Sequence, residues 1–280
     1  DPTDAPGLVR TIAAYQPTML FTTPTFLSYI MAACHGDELH SLRKLITGAE
    51  KCSDAIFREC ERLAPNATIL EGYGITECSP VVSANCINDP RLGTVGRPVK
   101  NVEICIIVEV DSDRPLPQGE TGMLLVAGPS IFGGYYEADG PSPFVEVAGK
   151  MWYRTGDLVS QDVDGFLHFK GRLKRFLKAG GEMISLPALE EPFSRAFPPG
   201  EEGPRVAVEG VETDDGRHIV LFVTHPFTLQ QASSLLLEAG LRGVMRLDEV
   251  RHIEHIPVLG TGKTDYKVLR AKVLETIELA

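Results

Sequence analysis

The sequence predicts a mixed fold: α/β at the start, β-rich in the middle and α+β at the C-terminal end. Short apolar runs alternate with helical patterns as far as residue 91, the rhythm of a largely parallel sheet with ligand loops at its strand ends. After Gly93 the helical spacing stops, and short apolar runs are separated by Pro and Gly. Beyond Gly171 strands and helices mix again.

In order, Gly7 to Tyr15 reads as a short helix and Thr18 to Thr22 as a buried strand. Pro24 opens the next helix, which runs through Phe26, Leu27, Ile30 and Met31. Lys44 to Thr47 is a strand, and Ser53 caps a helix with Ile56, Phe57, Cys60 and Leu63 at helical spacing. Thr68 to Leu70 returns to strand. In the middle stretch, Val102 to Val108 and Met123 to Val126 are strands, and Asp164-Gly165 turns a hairpin between Leu158-Val159 and Phe166 to Phe169. The last part holds strands near Arg205 to Val211, His218 to Val223 and Val250 to Ile253, and a helix over Leu229 to Glu238. A terminal helix closes the chain with Val268, Leu269, Val273 and Ile277 on one face.

Composition narrows the function classes. The 280 residues are 43% hydrophobic, enough for two domains. Neither an apolar run of about eighteen residues nor a basic-then-apolar leader occurs, so no transmembrane segment or secretion signal is expected in this stretch. Six cysteines (34, 52, 60, 78, 86 and 105) without Cys-x-x-Cys spacing read as cytosolic thiols. The net charge of -11 argues against nucleic acid as a partner. From Gly171 onward there are 14 basic and 16 acidic residues, against 13 and 22 before it. The less negative C-terminal part is the better docking face for an acidic partner, unless the difference is ordinary surface variation.

Five glycine-containing clusters occur in a fixed order: Thr47-Gly48-Ala49-Glu50, Glu71-Gly72-Tyr73-Gly74-Ile75-Thr76-Glu77, Tyr153-Arg154-Thr155-Gly156-Asp157, Gly171-Arg172 and Leu259-Gly260-Thr261-Gly262-Lys263. Glycine lets backbone approach a ligand closely, and each cluster pairs it with a group suited to part of a nucleotide. Tyr73 offers an aromatic face for a purine, Thr76 a hydroxyl for a phosphate, and Glu77 a hard carboxylate for Mg²⁺. Asp157 can accept from ribose hydroxyls, while Arg172 and Lys263 supply positive charge. Each also has an ordinary reading: a βα turn, a surface Thr-Gly-Asp turn, or a solvated Arg or Lys. It is the order and separation of the five that decide for a nucleotide.

With these clusters the chain resembles the adenylate-forming superfamily of acyl-CoA synthetases, luciferases and peptide-synthetase adenylation domains, from about Thr18 to Leu269. The wording of Gly48-Ala49-Glu50-Lys51, Glu77-Cys78-Ser79-Pro80-Val81-Val82, Gly93-Thr94-Val95-Gly96-Arg97 and Gly181-Glu182-Met183-Ile184-Ser185-Leu186 is similar to one branch. That branch is the synthetase half of bacterial bifunctional acyl-[acyl-carrier-protein] synthetase/2-acylglycerophosphoethanolamine acyltransferases. The resemblance implies the C-terminal part of a large AMP-binding domain over residues 1–171, α/β to residue 91 and β-rich from 92. A small mobile α+β domain over 172–280 then follows a hinge near 172–178, centred on Lys174. The family's phosphate loop has no counterpart in these residues, so they are expected to be inactive by themselves.

The implied activity is ATP- and Mg²⁺-dependent formation of a fatty acyl adenylate, then transfer to the phosphopantetheine thiol of acyl carrier protein, with coenzyme A as the alternative acceptor. A lysophospholipid would take the acyl group in the longer protein, in the cytoplasm or at the cytoplasmic face of the bacterial inner membrane. A non-catalytic nucleotide- or carrier-binding module is the rival of another class. Gly48, Ala49, Glu50, Glu71, Gly72, Tyr73, Gly74, Thr76, Asp157, Arg172 and Lys263 would bind ATP or AMP, with Lys263, Thr76 and Glu77 catalytic and Glu77 also on the metal. Phe21, Phe26, Leu27, Tyr29, Ile30, Val81, Val82 and Ile87 read either as core or as an acyl pocket. Lys174, Arg175 and Lys178 are either hinge, solvated basic face or carrier contact.

Overall fold

A computed structural model describes residues 4–107, 114–137, 141–179, 182–200, 203–213, 216–260 and 262–278. The expected strand end at Val108, Gly181 of the branch motif and Thr261 of the last cluster lie outside the described residues. The chain divides into two compact units, Asp1–Lys170 and Gly171–Ala280.

The first unit opens with α1 (Ala5–Tyr15), whose N-terminus is capped by Asp4 accepting from the Gly7 N–H at 2.9 Å. β1 (Met19–Thr22), α2 (Pro24–Ala32), β2 (Lys44–Thr47), α3 (Asp54–Leu63) and β3 (Thr68–Gly74) follow. Thr23 and Ser53 cap α2 and α3 through their hydroxyls. β1, β2 and β3 pair in parallel, as the alternation of apolar runs predicts. The sheet is not parallel throughout. β4 (Val81–Ala84) returns antiparallel to β3, and β5 (Arg97–Pro98) antiparallel to β4. The reversal follows Ser79, which takes a left-handed φ of 60°.

β6 (Glu103–Ile107), β7 (Thr121–Ala127), β8 (Phe144–Val147), β9 (Lys150–Gln161) and β10 (Leu167–Arg172) form a second sheet. Its order is β10-β9-β7-β6, with β8 on β9. Leu27 and Ile30 belong to the core beneath the first sheet, and Val82 to the core that joins it to the second. These three are core side chains, whereas Phe21, Val81 and Ile87 are exposed. All six cysteines are thiols. Burial pushes Cys52 and Cys78 up to about 12 and Cys34 and Cys60 up to about 11, so none of these four is a thiolate near neutrality.

The second unit is a sheet covered on both faces. β11 (Phe176–Ala179) and β12 (Glu182–Ser185) form a hairpin that leads into α4 (Leu186–Ala196). β13 (Val206–Thr213), β14 (Gly216–Val223), α5 (Leu229–Glu238), β15 (Glu249–His252) and α6 (Tyr266–Glu278) complete it. Strand alternation sends Val206, Val208, Ile219, Leu221 and Val223 into one core with α4 and α5. It sends Ala207, Val211, Val220 and Phe222 into another with Leu269 and Val273 of α6. Val268, read from the sequence as part of the buried face of α6, is 40% exposed. Among the described residues no helix is long and apolar enough to cross a membrane.

Candidate nucleotide site

In the first unit, β2 and β3 run in parallel until β2 ends at Thr47, opposite Glu71, while β3 continues to Gly74. The Gly48-Ala49-Glu50 turn therefore lies beside Gly72-Tyr73-Gly74. A Cβ on Gly48 would stand 3.1 Å from the Gly72 carbonyl, and one on Gly74 only 2.3 Å from the Pro80 carbonyl. The second contact admits glycine alone, because the backbone on both sides is tied by the Ile75 N–H donating to Pro80 O at 2.9 Å. Glu50 has a partner in its own unit. Its Oε2 accepts from the Thr25 hydroxyl at 2.6 Å and the Thr25 N–H at 3.3 Å, in the first turn of α2. A carboxylate there also meets the positive end of the helix dipole.

Thr76 opens a 3₁₀ turn, Thr76–Cys78, and is exposed, while Glu77 beside it is half-buried. Glu77 Oε1 accepts from the Tyr135 hydroxyl at 2.7 Å, and the Tyr135 and Tyr153 hydroxyls are 3.5 Å apart. Phe132 anchors this group: its ring meets Tyr135 at 4.9 Å and Tyr153 at 5.2 Å, edge to face, and its N–H donates to Glu77 O at 2.9 Å. Sequence reasoning passed over Tyr135 and Phe132. The run Phe132-Gly133-Gly134-Tyr135 has no periodicity, and an aromatic pair flanking glycines was the signal available.

Asp157 lies within β9 and is 1% exposed, so the surface-turn reading does not hold. Its placement comes from a bulge. Leu125 faces Arg154 and Met123 faces Leu158, so Thr155, Gly156 and Asp157 together oppose Leu124. Gly156 takes φ 74°, and the Thr155 hydroxyl bridges the bulge, donating to Leu124 O at 2.8 Å and accepting from the Asp157 N–H at 3.1 Å. Asp157 Oδ2 then accepts from the Tyr73 hydroxyl at 2.5 Å. Tyr73 is itself buried, its ring 5.7 Å from that of Phe169. Burial, with the Asp157 carboxylate beside it, holds the Tyr73 phenol well above its ordinary value. The two residues expected at purine and ribose are thus one hydrogen-bonded pair.

Glu71 sits within β3, opposite the end of β2, with its carboxylate half-buried and accepting from the Cys52 N–H at 3.2 Å. Burial raises its pKa, and the Cys52 hydrogen bond offsets that in part. A carboxylate whose folded pKa lies above the unfolded value binds more protons in the folded state, so its contribution to stability falls as pH rises through that window. Glu71→Gln, which keeps an acceptor for Cys52, should therefore stabilise the protein near neutrality relative to the parent. The difference should vanish below the unfolded carboxylate range. Thermal unfolding of both proteins between pH 3 and pH 8 checks the sign.

Arg172, Lys174 and Lys263 belong to the second unit. Arg172 ends β10 and is exposed. Lys174 is exposed on the 3₁₀ turn Leu173–Arg175. Of the three readings for Lys174, Arg175 and Lys178, the solvated basic face does not suit Arg175, whose side chain is 13% exposed and ion-paired to Glu190 at 3.2 Å. Lys263 lies at the base of a small loop closed by a Val258–Thr264 bridge, with its carbonyl accepting from the Leu259 N–H at 2.7 Å. Among the described residues no three His, Cys, Asp or Glu side chains converge as a metal site. One carboxylate, Glu77, beside an exposed hydroxyl is a donor set for a cation that keeps most of its oxygens from phosphate and water.

Residues 1–136 match the family described as AMP-binding enzyme, and solved adenylate-forming enzymes share the fold of the chain. Over those residues the chain is similar to AMP-binding enzymes, and nearly all of it has the fold of the solved ligases. The chain is 29% identical over 276 residues to the long-chain-fatty-acid–CoA ligase of Salmonella typhimurium, covering 96% of this chain and 48% of that protein. It is also 29% identical over 254 residues to the 2,3-dihydroxybenzoate-AMP ligase of Bacillus subtilis, covering 88% of this chain and 45% of that protein. ATP-bound MatB from Rhodopseudomonas palustris superposes with a TM-score of 0.81 at 24% identity, over 96% of this chain and 53% of that one. The chain spans less than half the length of these two ligases.

Proposed function

We propose that this chain is the part of an ATP-dependent ligase that holds the nucleotide and carries the small lid domain, and that the ligase activates a fatty acid as its acyl adenylate. The observation that carries the reading is the Tyr73–Asp157 pair, which joins the end of β3 to the bulge of β9, with Thr76 and Glu77 in the 3₁₀ turn that follows β3. A purine would lie against the Gly72-Tyr73-Gly74 backbone, whose glycines admit the close approach of the Ser83 and Pro80 carbonyls. Asp157 accepts from the ribose, Arg172 assists it, and Thr76 donates to the α-phosphate. Glu77 would hold Mg²⁺, which supplies charge neutralisation at the phosphate oxygens. A carboxylate oxygen of the fatty acid forms the new bond to the α-phosphorus while the bond to pyrophosphate breaks. Lys263 supplies positive charge to both anions as they meet.

In the second half-reaction a thiol takes the acyl group and AMP leaves. The branch motifs favour acyl carrier protein as acceptor, with a lysophospholipid downstream. The fatty-acid–CoA ligases among the relatives favour coenzyme A. The test is to supply the full-length protein with ATP, Mg²⁺ and a long-chain fatty acid, then follow pyrophosphate release and thioester formation on each acceptor in turn. Fatty-acid-dependent pyrophosphate release is expected. Nucleotide binding without release would favour a non-catalytic module, and thioester formed on coenzyme A alone would remove the carrier.

A further inference from the structure

The second unit buries an ionic cluster that none of these roles uses. Arg175 follows Lys174 directly, yet its side chain is only 13% exposed. One guanidinium nitrogen, Nη2, donates to the Val208 carbonyl at 2.8 Å and to Glu190 Oε2 at 3.2 Å. Its Nε lies 3.6 Å from the carboxylate of Glu209, itself 2% exposed. The guanidinium carbon sits 3.4 Å from the centre of the Tyr266 ring, in cation–π contact. Tyr266 closes the cluster by donating its hydroxyl to Glu190 Oε1 at 2.6 Å, while Glu190 Oε2 also accepts the Val208 N–H at 2.8 Å.

Burying such a cluster is a poor route to stability, since well-packed apolar side chains of the same volume commonly do as well or better. What a closed ionic ring does supply is one geometry. Here it joins the segment entering the unit, α4 and the first residue of α6, and Tyr266 stands three residues after Lys263. The loop between is pinned to itself. Besides the Lys263 carbonyl bond, the Gly262 N–H donates to Leu259 O at 2.8 Å and the Asp265 N–H to Pro257 O at 2.7 Å. Asp265 also caps the start of α6, accepting from the Lys267 N–H at 3.1 Å.

We infer that Arg175, Glu190 and Tyr266 are positioning residues for Lys263, setting the loop that carries it against the first residues of the unit so that its ammonium reaches one place. This rests on the role given to Lys263 above. The most selective probe is Tyr266→Phe, which keeps the ring over Arg175 and deletes only the hydroxyl on Glu190. Glu190→Gln, of matching volume, is the second variant should the first fail to fold.

In the full-length protein, pyrophosphate release, transfer from preformed acyl adenylate and melting temperature are measured for both variants, for Lys263→Ala and for Lys263→Ala combined with Tyr266→Phe. Tyr266→Phe is expected to lower kcat for adenylation by about 10- to 100-fold, the scale of a displaced catalytic group, with KM for ATP and the transfer step little changed. The double variant should be no slower than Lys263→Ala, because the hydroxyl acts through that lysine. A lower melting temperature with adenylation at the parent rate would overturn the inference, as would additive losses in the double variant. If Lys263→Ala alone leaves adenylation intact, it is the reading of Lys263 that fails.

Discussion

Lys263→Ala is expected to cripple adenylation while leaving transfer from a preformed acyl adenylate close to the parent rate. Negative charge gathers on the phosphoryl oxygens only in the first half-reaction, where two anions are forced together. Removing a single preorganised group that stabilises such charge typically costs about 10²–10³ in rate. In transfer, AMP is already the leaving group and no comparable charge builds up. The measurement is pyrophosphate release and thioester formation assayed separately in the full-length protein. Equal losses in both steps would remove the division of labour between the two half-reactions.

Asp157→Ala should show in ATP affinity and in stability together. The ribose hydroxyls lose a charged acceptor, worth about 1.5–3 kcal/mol by calorimetry. The same substitution takes from the buried Tyr73 hydroxyl the carboxylate it donates to at 2.5 Å. Stranding a buried donor costs about 1–3 kcal/mol, so a lower melting temperature should accompany the weaker binding. Asp157→Asn separates the two effects, because the amide oxygen still accepts from Tyr73 while the charge is gone. Its stability should stay near the parent while ATP affinity falls. Unchanged ATP affinity in both variants would leave Asp157 as a partner of Tyr73 and nothing more.

How far the sequence could be read depended on the range of the interactions involved. The parallel run of β1, β2 and β3 was legible because an apolar strand followed by a capped helix is a local pattern, with Pro24 and Ser53 marking the helix starts. The glycine clusters were legible because glycine where no Cβ fits is a backbone requirement carried by one residue, as at Gly74. The strands near Arg205–Val211 and His218–Val223 were legible too, as short apolar runs.

Pairings distant in the chain were another matter. Tyr73 and Asp157 meet across 84 residues, Glu77 and Tyr135 across 58, and Tyr266 and Glu190 across 76. Nothing local distinguishes a tyrosine that stacks on a ligand from one that bonds a carboxylate. Nor does charge alone reveal that Arg175 turns inward while its neighbour Lys174 stays in solvent. Arg175 is buried because Glu190, Glu209 and Tyr266 compensate it, and those partners arrive only when α4, β13 and α6 assemble. Residue type and order were enough to propose a class of chemistry, since they say which groups are available. Which groups share a proton, a charge or a contact was decided by tertiary packing, because burial and partner geometry exist only in the folded chain.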